Sequence, residues 1–165
     1  MRRSTALLAA AVALGLAAPA AAAPPGAGVL VPGRSLGGVR LGATKAEVEA
    51  AWGQAYGRCR SCAEETWYFN DYAFRQQGAG VSFRHGRVSA LFTLWQPAGW
   101  HTTRGLTLGE SVARVTSVFG PLPRRECGSY YLLELPRSGA VTSFVIVNEY
   151  LFGFLLRLRG EPACL

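Results

Sequence analysis

Few residues in this sequence are of the types that usually carry acid–base or metal chemistry. Asp71 is the only aspartate, and the two histidines, His85 and His101, have no metal-ligand spacing. The glutamates that are close together in sequence are predicted on an exposed helix and in a loop, whereas paired-carboxylate catalysis needs groups placed in a site. We therefore expect no enzyme activity, no metal and no cofactor.

The sequence also lacks a basic cluster and a second long apolar run. It has 17 basic and 10 acidic residues, but beyond residue 3 the only adjacent arginines are Arg124 and Arg125. This scatter does not predict a nucleic-acid-binding stripe. The apolar stretch over residues 144–158 is interrupted by Asn148 and Glu149. We therefore expect no nucleic-acid partner and no stable membrane insertion.

The N-terminus has the pattern of a secretory signal peptide. Arg2 and Arg3 precede an apolar run over residues 6–18, and small residues follow at 20–23. We predict a signal peptide over residues 1–22, cut after Ala22, and a flexible lead-in over 23–35. The alternative is an uncleaved N-terminal anchor. Either way the protein is expected outside the cytoplasm, secreted or periplasmic.

A motif at residues 39–53 recurs at 106–120 without a gap. Its shared pattern is apolar-x-Leu-Gly-x-[Thr/Ser]-x3-Val-x3-aromatic-Gly. Thr44 and Ser111 fit helix N-caps, and Gly53 and Gly120 fit helix ends. Strand-like segments follow at 67–72, 80–85 and 88–95, and again at 129–135, 141–148 and 151–159.

These patterns predict an α+β monomer made of two tandem repeats, each a helix followed by an antiparallel meander. The helices would pack on one face of the sheet. Repeat 1 is predicted over residues 36–96, a linker over 97–104 and repeat 2 over 105–165.

Comparing the two copies predicts which strand face is buried. The set apolar in both copies is expected to meet the helices; its members are Val88, Ala90, Phe92, Leu94, Phe152, Phe154, Leu156 and Leu158. The alternate positions are expected on an open sheet face. The candidate partner-binding residues there are Tyr68, Tyr72, Arg84, Trp95, Arg157 and Arg159. The alternatives are that the N-terminal segment covers this face or that it simply faces solvent.

The duplicated motif, followed by a strand meander, resembles the β-lactamase inhibitory protein-like fold. It is also similar to the repeat unit of the outer-membrane assembly lipoproteins of the SmpA and OmlA type. The resemblance implies a non-enzymatic module that binds another extracytoplasmic protein through its open sheet face, either inhibitor-like or envelope-assembly-like.

Four cysteines in an exported chain predict two disulfides, for which three connectivities exist. We favour Cys59–Cys62 and Cys127–Cys164. The alternative for Cys59 and Cys62 is a redox pair, which would make the protein a thiol–disulfide oxidoreductase. That chemistry favours a thiolate at a helix N-terminus, whereas this pair follows a predicted helix end.

Overall fold

The computed structural model describes residues 27–69, 78–94 and 99–164. These residues form twelve strands and two helices. In chain order the elements are β1 (Ala27–Val31), β2 (Ser35–Leu36), β3 (Val39–Arg40), α1 (Lys45–Trp52), β4 (Gly57–Arg58), β5 (Glu65–Phe69), β6 (Gly78–Arg84), β7 (Arg87–Leu94), β8 (Gly99–Thr102), α2 (Val112–Phe119), β9 (Arg124–Glu126), β10 (Tyr131–Arg137), β11 (Ala140–Val147) and β12 (Tyr150–Leu158). The predicted signal peptide, residues 1–22, lies outside the described residues and stays a prediction.

Eight strands form one large antiparallel sheet, in the order β4-β5-β6-β7-β12-β11-β10-β9. Two-residue turns join β6 to β7 and β11 to β12. His85, Asn148 and Glu149 in these turns have φ angles of 51°, 48° and 65°. This left-handed backbone is what tight hairpin turns require. Because β7 pairs directly with β12, the two meanders are continuous with each other.

A second sheet and the two helices cover one face of the large sheet. The second sheet has the order β3-β2-β1-β8, and its β1–β8 pair is parallel. Leu30 and Leu36 of this sheet are fully buried in the main core. Trp52 of α1 donates its indole N–H to the Gly37 carbonyl over 2.8 Å and packs edge-on against Trp100. The main core therefore lies between the large sheet and this mixed layer.

Both helices begin and end where local chemistry favours it. The Thr44 hydroxyl accepts from the Glu47 backbone N–H, and the Glu47 carboxylate accepts from the Thr44 backbone N–H, which completes a capping box. Ser111 caps α2 in the same way through its hydroxyl. The helices stop at Gly53 and Gly120, whose φ angles are 82° and 79°. The predicted caps and stops therefore occur where the motif places them.

The predicted architecture is nevertheless wrong. Over the described residues the protein is mostly β, with two helices of eight residues each, and these residues do not form two helix-then-meander repeats. The duplicated motif marks a local strand, cap and helix, whereas three of the four short strands of the second sheet, β1, β2 and β8, lie outside it. Residues 27–31, expected in the lead-in, form β1, and residues 99–102, expected in the linker, form β8. Strands this short carry too little alternation to be detected.

Candidate functional site

The large sheet has a second apolar cluster on the face that points away from the helices. Its six buried members belong to four neighbouring strands, and they are Ala90, Phe92, Leu94, Leu132, Val145 and Leu155. Tyr68, Tyr130 and Phe152 pack around them and are only partly buried. The partly buried aromatic rings around this cluster make the face a candidate for binding.

A bulge in β7 decides which residues reach this face. Phe83 pairs with Val88, but Ser82 pairs with Ala90, so Ser89 is an extra residue in β7. One extra residue reverses the alternation of all the side chains that follow it.

The predicted assignment of β7 is wrong beyond this bulge. Val88 lies in the main core as expected, whereas Ala90, Phe92 and Leu94 point to the opposite face. Leu91, expected to face outward, is fully buried in the main core.

A second bulge interrupts β12. The pairing shifts between Val145 and Ile146, which leaves Phe152 as the extra residue in β12. Phe154 and Leu156 lie in the main core, as their parity predicted, but Phe152 packs against the second cluster. The sequence gives no local sign of either bulge, since neither Ser89 nor Phe152 is a residue type specific to bulges.

The C-terminal residues 160–164 fold back toward this face. Arg157 donates to the Glu161 carbonyl over 3.2 Å, Ala163 packs on the second cluster, and Cys164 is bonded to Cys127. We call residues 160–164 the tail and this face of the large sheet the tail face. The tail borders two depressions in the tail face, and Glu161 lines both of them.

The first depression is an apolar groove of about 260 Å³. Tyr68, Phe92 and Leu155 are among its lining residues, and the Tyr68 ring meets the Phe92 ring edge-on with 5.7 Å between centroids. Cys62 and Cys164, one from each disulfide, also line it. We refer to this depression as the groove.

Two carboxyl groups and one guanidinium lie at the border of the groove. Arg84 donates Nε to Glu64 Oε1 over 2.9 Å, and its terminal nitrogen lies 3.0 Å from Glu161 Oε1. Ser89 also donates to Glu64, over 3.1 Å. Burial, and then the nearby Glu64 carboxylate, raise the pKa of Glu161 above its ordinary value, and together they outweigh Arg84.

The second depression, of about 390 Å³, is lined by the side chains of three arginines, Arg125, Arg157 and Arg159. We refer to it as the arginine pocket. Arg157 is buried, and its terminal nitrogen lies 2.6 Å from Glu134 Oε1. Arg125 Nε lies 3.0 Å from the same oxygen. Although burial raises the pKa of Glu134, the hydrogen bonds from Arg125 and Arg157 hold it below its ordinary value.

The candidate residues are placed as follows. Tyr68 lines the groove, Arg84 joins the two carboxyl groups beside it, and Arg157 and Arg159 line the arginine pocket. Tyr72 and Trp95 lie outside the described residues.

Sequence reasoning missed the acidic partners on the tail face, Glu134 and Glu161. The sequence pattern could have placed Glu134 on the tail face, because it lies between Leu133 and Leu135 in β10, and both of these face the main core. No sequence signal placed Glu161, since its position depends on how the tail folds back.

The structure contains the two disulfides that the sequence favoured, Cys59–Cys62 and Cys127–Cys164. The first closes the loop between β4 and β5, and the Cys59 backbone N–H donates to Thr66 across that hairpin. It lies between two strands rather than at a helix N-terminus. This position does not supply the helix dipole that lowers the pKa of a redox thiol.

Over the described ranges, no group of His, Cys, Asp and Glu residues is arranged to hold a metal ion. Neither of the two helices found there is long and apolar enough to span a membrane.

No protein-family model matches the chain, and no curated protein matches its sequence. Similar folds occur among solved structures. A DUF4309 family protein (YjgB) from Bacillus subtilis is 18% identical with a TM-score of 0.52, over 71% of this chain and 79% of that one. An extracellular protein containing a SCP domain from Bacillus anthracis is 11% identical with a TM-score of 0.51.

The second alignment covers 72% of this chain but only 44% of the SCP-domain protein, so the shared fold is less than half of that protein. At these identities the similarity establishes a shared fold and nothing about activity. The predicted resemblance to the β-lactamase inhibitory protein-like fold stays a prediction.

Proposed function

We propose that this protein is exported and that it binds a partner protein on the tail face without catalysing a reaction. The observation that carries the proposal is the groove, an apolar depression beside the tail whose wall includes the partly buried Tyr68 ring and the buried Phe92 ring beneath it. Aromatic and arginine side chains are the residue types that most often anchor protein interfaces. An apolar side chain of the partner fits a groove of this size and lining.

Export is supported by three independent features. The N-terminal sequence has the signal-peptide pattern, and both cysteine pairs form disulfides, which persist in oxidising compartments. One protein of similar fold is described as extracellular. The partner is therefore expected to be another extracytoplasmic protein, and the resemblance stated above supports an inhibitor-like or envelope-assembly-like role for this chain.

The proposal is tested by filling the groove. Ala63 is an exposed residue that lines it, so Ala63→Trp places a large side chain there with little effect on the core. Ala113→Trp is the matched control, because Ala113 is exposed on α2. The wild-type protein and both variants are immobilised with their disulfides intact. Each is then incubated with the proteins that the cells of origin export.

We expect one protein to be captured by the wild type and by Ala113→Trp, and to be lost with Ala63→Trp. Equal capture by all three would contradict binding at the groove, and so would loss with the control alone. Unfolding curves for both variants establish that a loss of capture is not a loss of fold.

A further inference from the structure

The arginine pocket carries more positive charge than the carboxyl groups that line it can neutralise. Arg125, Arg157 and Arg159 line it, and Glu134 supplies one negative charge to the first two. Glu161 also lines the pocket, and its carboxyl lies 3.0 Å from Arg84 beside the groove, so two carboxyl groups face three arginines. The pocket therefore keeps a net positive charge.

The guanidinium groups also have donors to spare. Each carries five N–H donors. In the described part of the chain, Arg125 uses Nε on Glu134, and Arg159 uses one terminal nitrogen on the Arg137 carbonyl over 3.2 Å. Arg157 uses both terminal nitrogens, while its buried Nε has no hydrogen-bond partner there. Arg125 and Arg159 are both exposed, so their remaining donors are accessible to a ligand.

Apolar side chains form other parts of the pocket wall, among them Pro123, Pro136 and Val141. Low-dielectric walls beside like charges strengthen the attraction of a counter-charge. The structure also indicates which counter-charge fits: two guanidiniums already converge on one oxygen of the Glu134 carboxylate. The planar arginine side chain can donate two parallel hydrogen bonds to the two oxygens of a carboxylate, so a carboxylate is the anion that it pairs with well.

We propose that the arginine pocket binds a second carboxylate, held by Arg125 and Arg159. The carboxylate comes either from the partner protein or from a free small acid. The inference deepens the proposed function and rests on it for its biological meaning, since the pocket and the groove lie on either side of the same tail.

The test is an NMR titration of the oxidised protein at low ionic strength, following the arginine side-chain resonances. The probes are succinate, and a short blocked peptide with a free C-terminal carboxylate compared with its C-terminal amide. We expect binding of a carboxylate probe, weakened about tenfold by Arg125→Gln and by Arg159→Gln because each removes a charge-assisted hydrogen bond.

Two further variants serve as controls: one is expected to tighten carboxylate binding and the other to leave it unchanged. Glu134→Gln removes the competing internal carboxylate, so it should tighten binding. Arg40→Gln removes the same charge from the second sheet, where Arg40 lies 3.8 Å from Glu47, and should leave binding unchanged. Weakening by Arg40→Gln equal to that by Arg125→Gln would overturn the site, because it would show a general charge effect.

The outcomes separate the sources and the two proposals. Binding of the peptide acid without its amide identifies a chain terminus, and binding of succinate alone identifies a free acid. Absence of binding by every carboxylate probe overturns the arginine pocket and leaves groove-dependent capture standing. Carboxylate binding combined with capture that survives Ala63→Trp overturns the proposed function instead.

Discussion

Removing the Cys127–Cys164 disulfide should destabilise the protein about twice as much as removing Cys59–Cys62. The two bonds join residues 37 and 3 positions apart. In the chain-entropy description a cross-link stabilises by restricting the unfolded chain, and the effect grows with the logarithm of the loop length. It amounts to about 4 kcal/mol for the longer loop and about 2 kcal/mol for the shorter one.

The comparison uses two double variants, Cys127→Ala with Cys164→Ala, and Cys59→Ala with Cys62→Ala. Each removes two sulfur atoms, so the intrinsic effect of the substitution largely cancels. The free energy of unfolding is measured by urea denaturation without reductant, followed by fluorescence. The reasoning is refuted if the short-loop variant loses as much stability as the long-loop variant. It would then follow that these bonds stabilise the folded state by contacts and not through the unfolded chain.

Three more predictions concern the tail face. Because the pKa of Glu161 is raised in the folded state, its contribution to stability is full at low pH and is lost as pH rises through the folded-state pKa. The variant Glu161→Gln should therefore show a free energy of unfolding that changes less with pH above pH 4.5 than the wild type does, measured by urea unfolding at several pH values. The lowered pKa of Glu134 gives the opposite sign, so Glu134→Gln should lose about 3 kcal/mol at neutral pH, with the difference from wild type shrinking as pH falls below 4.5. Gly80→Ala should cost about 1–3 kcal/mol in the same assay, because its new Cβ would lie 2.1 Å from the Phe92 ring; an unchanged midpoint would show that the ring can move aside.

Local signals in the sequence predicted local structure well. Thr44 and Ser111 cap the two helices, and Gly53 and Gly120 end them, because capping depends on a few neighbouring backbone groups. The turn at His85 was also predictable, since it lies between two apolar alternating segments.

Features that depend on distant contacts were not predictable. The parallel β1–β8 pair joins residues about 70 positions apart and leaves no periodic trace in strands of four or five residues. Ser89 shifts the face of every later residue in β7, yet nothing in its neighbours announces a bulge. For the candidate site, strand alternation indicated Tyr68 and Arg157 and could have indicated Glu134, but Glu161 became apparent only from the fold of the tail.

Hydrogen exchange on the complex with the captured partner tests binding on the tail face most directly. With the partner bound, amide exchange should slow over residues 62–65 at the groove rim and over the tail, 160–164. Exchange in α1 and α2, on the other side of the large sheet, should stay unchanged. Protection confined to the helices, with the groove rim and the tail exchanging as in the free protein, would place the partner on the opposite face and contradict the account.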